Sequence, residues 1–191
     1  MFPTRIGFAL CGSFCTFGSV IPILQELADA DYTITPIMSQ TAYATDTRFG
    51  KAEDFRERIQ TICGAPILHT VFEAEPIGPK KLLDALIIAP CTGNTLGKLA
   101  GGISDSAVTL AAKAHLRNQR PVIVGVSTND ALAGSAANIG KLLGTRNYYF
   151  IPLRQDDPIN KPTSIVADFS KTRQTLEAAL QGQQFQPLLT S

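Results

Sequence analysis

Residues 5–29 read RIGFALCGSFCTFGSVIPILQELAD, and the fold turns on them. Residues 5–11 (RIGFALC) are an apolar run opened by one arginine, the composition of a strand covered on both faces. Gly12 and Ser13 follow directly. Val20, Ile21, Leu24 and Leu27 then recur at helical spacing across residues 17–29. Pro22 is read into a first turn, where its missing N–H is harmless. Strand, glycine turn and helix together open a strand–helix–strand unit.

The alternation continues outward. Residues 32–38 (YTITPIM) are a second strand, followed by the polar stretch SQTAYATDTRFG. Residues 51–62 form a charged amphipathic helix ending at Gly64. Residues 84–89 (DALIIA) are an apolar strand stopped by Pro90. Helices are expected at 93–101 and 105–117, split by Gly101-Gly102, with Asp105-Ser106 as the cap of the second. Residues 121–126 (PVIVGV) are a fourth strand, 134–143 a helix, 148–153 (YYFIPL) a fifth strand, and 163–181 a helix ending near Gly182. Residues 71–83 and 154–162 read as ordered insertions or surface loops. The expectation is a single α/β domain over residues 1–191. Its architecture would be a Rossmann-like (flavodoxin-like) three-layer sandwich with a mostly parallel sheet and right-handed crossovers. Ligands in such sheets sit at the carboxyl ends of strands, so the turns after Cys11, Met38 and Ala89 matter most.

Composition narrows the function. Of 191 residues, 17 are Lys or Arg and 16 are Asp or Glu, a charged share of 17% and a net charge of +1. An ordinary soluble domain carries roughly 25%. Either buried parallel strands account for the low share, or other subunits cover part of the surface. Near-neutrality argues against nucleic acid and against a polybasic membrane contact. No segment reaches the roughly 18 apolar residues of a membrane helix. The apolar run after Arg5 is too short and too Gly-rich for a signal peptide, so a cytoplasmic location is expected. Cys11, Cys15, Cys63 and Cys91 form no CxxC and no zinc-type cluster. They are read as reduced thiols, structural or site-lining, and no metal is expected.

Three short stretches carry chemistry. Cys11-Gly12-Ser13-Phe14-Cys15-Thr16 offers backbone N–H groups between a strand and a helix start, which suits a tight turn or a phosphate site. Pro90-Cys91-Thr92-Gly93-Asn94-Thr95 starts a helix, with Thr92 or Asn94 as cap and Gly93 leaving room for a planar ring. The neighbouring Gly97-Lys98 is not a Walker loop, since Leu99 stands where Ser or Thr must bind magnesium. Ser39 and Thr41 would bind phosphate or sugar, or solvate a loop. Arg48 is the nearest cation. His69 is a general-base candidate, whereas His115, late in a helix, is explained as a C-terminal cation.

The segments IIAPCTGNTLGKLAGGISDS and PVIVGVSTNDAL resemble the flavoprotein family of FMN-containing cysteine decarboxylases, the pantothenate-pathway decarboxylase and related prenyltransferases. RIGFALCGSFCT, DTRFG, AEPIGPK, AAKAHLRNQR and FIPLRQDDPINKP extend the likeness to a dipicolinate-forming branch of that family, found in spore-forming bacteria. The resemblance implies an FMN-type site and an oxidoreductase role. It also implies a separate A subunit carrying NAD(P), a dihydrodipicolinate-type dicarboxylate substrate, and a homo-oligomer, a trimer or a multiple of it. It would put Gly12, Ser13 and Phe14 along the flavin phosphate and ribityl chain, with Ser39 and Thr41 at the phosphate. Ala89, Cys91, Thr92, Asn94 and Thr95 would then line the ring. Asn129 stands where the decarboxylases carry a clamp asparagine, but the clamp's Pro and Met are absent. His69 keeps the decarboxylase histidine's Pro-x-Leu-His context, and a long segment follows it where the decarboxylases run almost straight into the next strand. Asn94, His69 and Arg48 are the catalytic candidates. Arg48, Lys80, Lys98 and Lys161 are the cations available to a dianion.

Overall fold

The computed structural model describes residues 3–30 and 32–190. In chain order the elements are β1 (Arg5–Leu10), α1 (Phe17–Asp29), β2 (Thr33–Met38), α2 (Gln40–Ala44), α3 (Ala52–Cys63) and α4 (Val71–Ala74), then β3 (Ala85–Cys91), α5 (Gly93–Gly101), α6 (Ala107–Arg117) and β4 (Val122–Thr128), and finally α7 (Ala136–Leu143), β5 (Tyr148–Phe150), β6 (Ile165–Val166) and α8 (Thr172–Leu180). The strands run in the order β2-β1-β3-β4-β5, all parallel, with β6 pairing antiparallel to the end of β4. This is the flavodoxin-like order.

Alternate strand residues feed two separate cores. Leu86 and Ile88 of β3 and Val122, Val124 and Val126 of β4 pack on one face, with residues of α5, α6 and α7. Ala85, Ile87, Ala89 and Ile123 pack on the other, with residues of α1, α3 and α8. Every residue of β3 is buried, so two faces must be satisfied by one run. Full burial of one such Ile or Leu side chain contributes about 1.5–3 kcal/mol. A sheet buried on both faces accounts for a low charge share.

Several elements differ from the sequence expectation. Pro22 is the sixth residue of α1, past its first turn, because a 3₁₀ turn at Phe14–Thr16 precedes the helix. β3 continues through Pro90 to Cys91, with its register against β4 shifting between Ile88 and Cys91. A Pro needs no ladder N–H where the register breaks. The polar stretch after β2 contains α2, capped by Ser39, and residues 71–83 contain α4, closed by a capping box between Thr70 and Glu73. Residues 163–181 are not one helix: β6 and a 3₁₀ turn at Phe169–Lys171 come before α8. The fifth strand is shorter than expected. Among the described residues, no helix is long and apolar enough to cross a membrane.

Candidate functional site

The carboxyl ends of β1, β3 and β4 open into one cleft with two chambers that share Gly12 and Thr92. The first, of about 350 Å³, is lined by Phe14, Phe49, Ser127, Asn129 and Lys161 among others. The second, of about 370 Å³, is lined by Ser39, Gln40, Thr41, Asn94, Thr95 and Lys98, with Asp105 and Ser106. β1 and β3 are neighbours from which the chain crosses over in opposite directions, so their helices diverge and leave this gap.

Local hydrogen bonding sets each wall. Thr92, not Asn94, caps α5: its Oγ1 accepts from the Thr95 N–H at 3.3 Å and lies 3.1 Å from Thr95 Oγ1. Asn94 is left exposed in the second chamber. Ser39 Oγ accepts from the Ala42 N–H at 3.2 Å. Ser13 Oγ and Ser127 Oγ are 2.7 Å apart and tie the turn after β1 to β4. A Cβ on Gly12 would stand 3.3 Å from Thr41 Cγ2, so the bare backbone lets the β1 turn and α2 close on one another. Gly93 faces no ring slot. A Cβ there would fall 2.7 Å from Ser135 Oγ, 2.8 Å from Asp130 Oδ1 and 2.9 Å from Thr128 Oγ1. The Asp130 carboxylate accepts from Thr128 at 2.6 Å and from Ser135 at 3.0 Å. Those bonds, Thr128's foremost, hold its pKa below the usual carboxylate value.

Other expected residues lie elsewhere. The side chains of Ala89 and Cys91 are buried in opposite cores, outside both chambers. The Cys11 thiol is buried too, and desolvation pushes its pKa up to about 11. His69 lies beyond β2 and lines neither chamber. Its ring stacks on Tyr43 at 3.7 Å between centroids, and its Nδ1 is 3.2 Å from Glu73 Oε2 but off the line of a hydrogen bond. His115 is no C-terminal cation. It is 1% exposed, and burial, with Arg120 nearby, lowers its pKa to about 4, so it is neutral.

The cations differ in their commitments. Lys98 Nζ meets both oxygens of Asp105 at 2.9 Å. Lys161 Nζ meets only Asp156 Oδ2, at 3.4 Å. Arg48 is exposed, with its guanidinium 4.9 Å above the Phe49 ring at the rim of the first chamber. Lys80 lines neither chamber. Asn129, at the chamber wall, is fixed through its carbonyl by Thr163 Oγ1 at 2.6 Å. Residues not singled out by sequence include Ser127, Phe49 and Asp156. A polar Ser-Thr ending on the apolar β4 was the available signal for the first; nothing local marks Asp156.

A parallel sheet in this order with a hydroxyl-lined cleft at the β1/β3 crossover defines a flavodoxin-like α/β protein. The chain belongs to the flavoprotein family, whose profile matches residues 2–151, and within it to the B chains of dipicolinate synthase. It is 45% identical over 185 residues to the B chain of dipicolinate synthase from Bacillus subtilis, covering 97% of this chain and 92% of that one. The crystal structure of the corresponding dipicolinate synthase chain from Bacillus halodurans matches with a TM-score of 0.91 at 45% identity, covering 100% of this chain and 98% of that one. DmrB of Burkholderia xenovorans, solved in complex with FMN as a cubic protein cage for redox transfer, matches with a TM-score of 0.70 at 18% identity. It covers 93% of this chain and 96% of that one, a likeness of fold alone.

Proposed function

We propose that this chain binds FMN in the two-chambered cleft. It acts as an oxidoreductase subunit with a separate A subunit, forming pyridine-2,6-dicarboxylate from a dihydrodipicolinate-type precursor. The observation that carries this reading is the junction of a hydroxyl-lined chamber and an aromatic-lined chamber at Gly12 and Thr92. The residues present suit the cofactor. Ser39 and Thr41 would hold a phosphate, and Gly12, Ser13 and Phe14 the sugar chain. Thr92, Asn94 and Thr95 would stand against the ring. FMN supplies a two-electron acceptor, which aromatisation of a dihydropyridine requires.

The chain's own residues orient and desolvate. The Thr92 cap fixes the first turn of α5, the Ser13–Ser127 contact holds the β1 turn, and Phe14 and Phe49 give the first chamber apolar surface. NAD(P) belongs to the partner subunit in this reading. The chain works as a homo-oligomer, a trimer or a multiple of it, in the cytosol of a sporulating bacterium. The test is spectral. The full chain is titrated with FMN, freed of unbound cofactor and mixed anaerobically with the precursor. Bleaching of the flavin band at the rate of product formation is the expected result. A ring that stays oxidised while the A subunit makes product at its normal rate overturns flavin catalysis.

One observation favours a second reading, a non-catalytic partner of the A subunit with a degenerate pocket. Both lysines of the cleft are engaged by carboxylates of the same chain. That reading predicts weak FMN affinity and full synthase activity in Asn94→Ala. An activity loss in Asn94→Ala rejects it.

A further inference from the structure

We propose that the first chamber seats a planar ring bearing two carboxylates, with Lys161 and Arg48 as its two cationic anchors, and that Asp156 occupies Lys161 until a substrate carboxylate displaces it. The inference rests on the reading of the cleft given above and assigns its substrate-binding half.

A net charge of +1 leaves no global field to attract a dianion, so local cations must do it. Among the four cations singled out, geometry separates two. Lys98 is held by both oxygens of Asp105 at 2.9 Å and faces the other chamber. Lys80 lines neither chamber. Lys161 lines the first chamber and is held by a single oxygen at 3.4 Å, beyond the 2.7–2.9 Å of a good charge-assisted bond. Arg48 does not itself line the chamber, but its guanidinium lies 4.9 Å over the ring of Phe49, which does, and it makes no salt bridge among the described residues.

The exchange at Lys161 strands no charge. The Asp156 side chain is 23% exposed, so water can take the place of Lys161 at its carboxylate when Lys161 turns away. The rest of the chamber suits the ring. Phe14 and Phe49 offer apolar faces and Asn129 a neutral donor, and a volume of about 350 Å³ accommodates a small planar molecule.

The test is calorimetric titration of the full chain, with and without FMN, using pyridine-2,6-dicarboxylate as the probe. Lys161→Met and Arg48→Met should each weaken binding by roughly tenfold or more, and Lys161→Arg should recover most of the loss. Asp156→Asn should tighten binding several-fold, because the competing carboxylate is gone. Lys80→Met should match wild type. Pyridine-2-carboxylate should bind more weakly than the dicarboxylate and respond to only one of the two cation variants. Thermal melts of these exposed-site variants should match wild type, so lost binding is not lost folding. Affinity unchanged in Lys161→Met and Arg48→Met, or no binding to wild type, overturns the proposal. If FMN fails to bind while the dicarboxylate keeps its dependence on Lys161 and Arg48, the flavin reading falls and this one stands. If FMN binds and the dicarboxylate ignores both cations, the reverse holds.

Discussion

Ser13 and Ser127 are 114 positions apart in the chain, yet their hydroxyl oxygens lie 2.7 Å from each other. One ends the turn after β1 and the other sits near the end of β4. The two strands are not neighbours, since β3 runs between them. The contact therefore passes over the carboxyl end of β3, at the floor of the cleft. It fixes the distance between the walls on which a bound ring would rest.

Ser13→Ala should leave the Ser127 hydroxyl, 3% exposed, without its partner. An unsatisfied buried hydroxyl costs about 1–3 kcal/mol. The double variant Ser13→Ala/Ser127→Ala should be less destabilised than the sum of the two singles. Urea denaturation of all four proteins measures the coupling, expected at about 0.5–1.5 kcal/mol. Strict additivity would show that the short distance carries no energy.

Gly93→Ala should destabilise by about 1–3 kcal/mol, because its Cβ would meet three polar atoms held in one network, and the network cannot move without breaking its own bonds. Gly18→Ala provides the contrast. A Cβ there meets nothing within 4 Å, in the helix α1. That substitution should stabilise by up to about 1 kcal/mol. Paired thermal melts decide the point, and a similar shift in both variants would refute the crowding at Gly93.

The strands and long helices were legible because β3 is an unbroken apolar run and α1 holds its helical period over several residues. The five residues of α2 and four of α4 are too short to show a helical period. Their traces were the caps, Ser39 and the Thr70–Glu73 pair. At the site, the turn residues Gly12, Ser13 and Thr92 could be read from the rule that ligands sit at strand ends. Which cation meets which carboxylate could not. Lys98 finds Asp105 across a helix turn, and Lys161 finds Asp156 within a loop of no regular pattern. Gly93 was read as open space because its crowding comes from Asp130 and Ser135, over 35 positions away.

The four cysteines should separate sharply by reactivity. Cys11 and Cys91 are buried, and desolvation lifts Cys11 to about 11 and Cys91 well above its ordinary value. Desolvation also pushes Cys63 up to about 12. Cys15 is exposed at the rim of the first chamber. The thiolate is the reactive form, so at pH 8 a disulfide reagent should label one thiol of the native chain quickly. The remaining three should react only on denaturation. Cys15→Ser should abolish the fast phase. Any fast thiol left in that variant would contradict this packing.

His115 should make the chain acid-sensitive above the range of ordinary carboxylates. Its imidazole is 1% exposed in α6, and its Nε2 has no hydrogen-bond partner. Burial foremost, and then the Arg120 charge, lower its pKa from 6.5 to about 4, against smaller opposing effects of Asp84 and the Pro121 backbone. Between those values the unfolded chain binds a proton that the folded chain does not. Stability from this residue is therefore complete above pH 6.5, declines as pH falls below it, and is exhausted below about 4. The whole effect is on the order of 3 kcal/mol. Asp84, Asp105 and Asp130 have lowered pKa values, so their losses come in a more acidic window. Urea midpoints at pH 7, 5.5 and 4.5 should fall steadily in wild type and much less in His115→Leu, which has nothing to protonate. At pH 4.5 the variant should gain on wild type relative to pH 7. Parallel profiles for the two proteins would show that the buried imidazole is not what acid attacks.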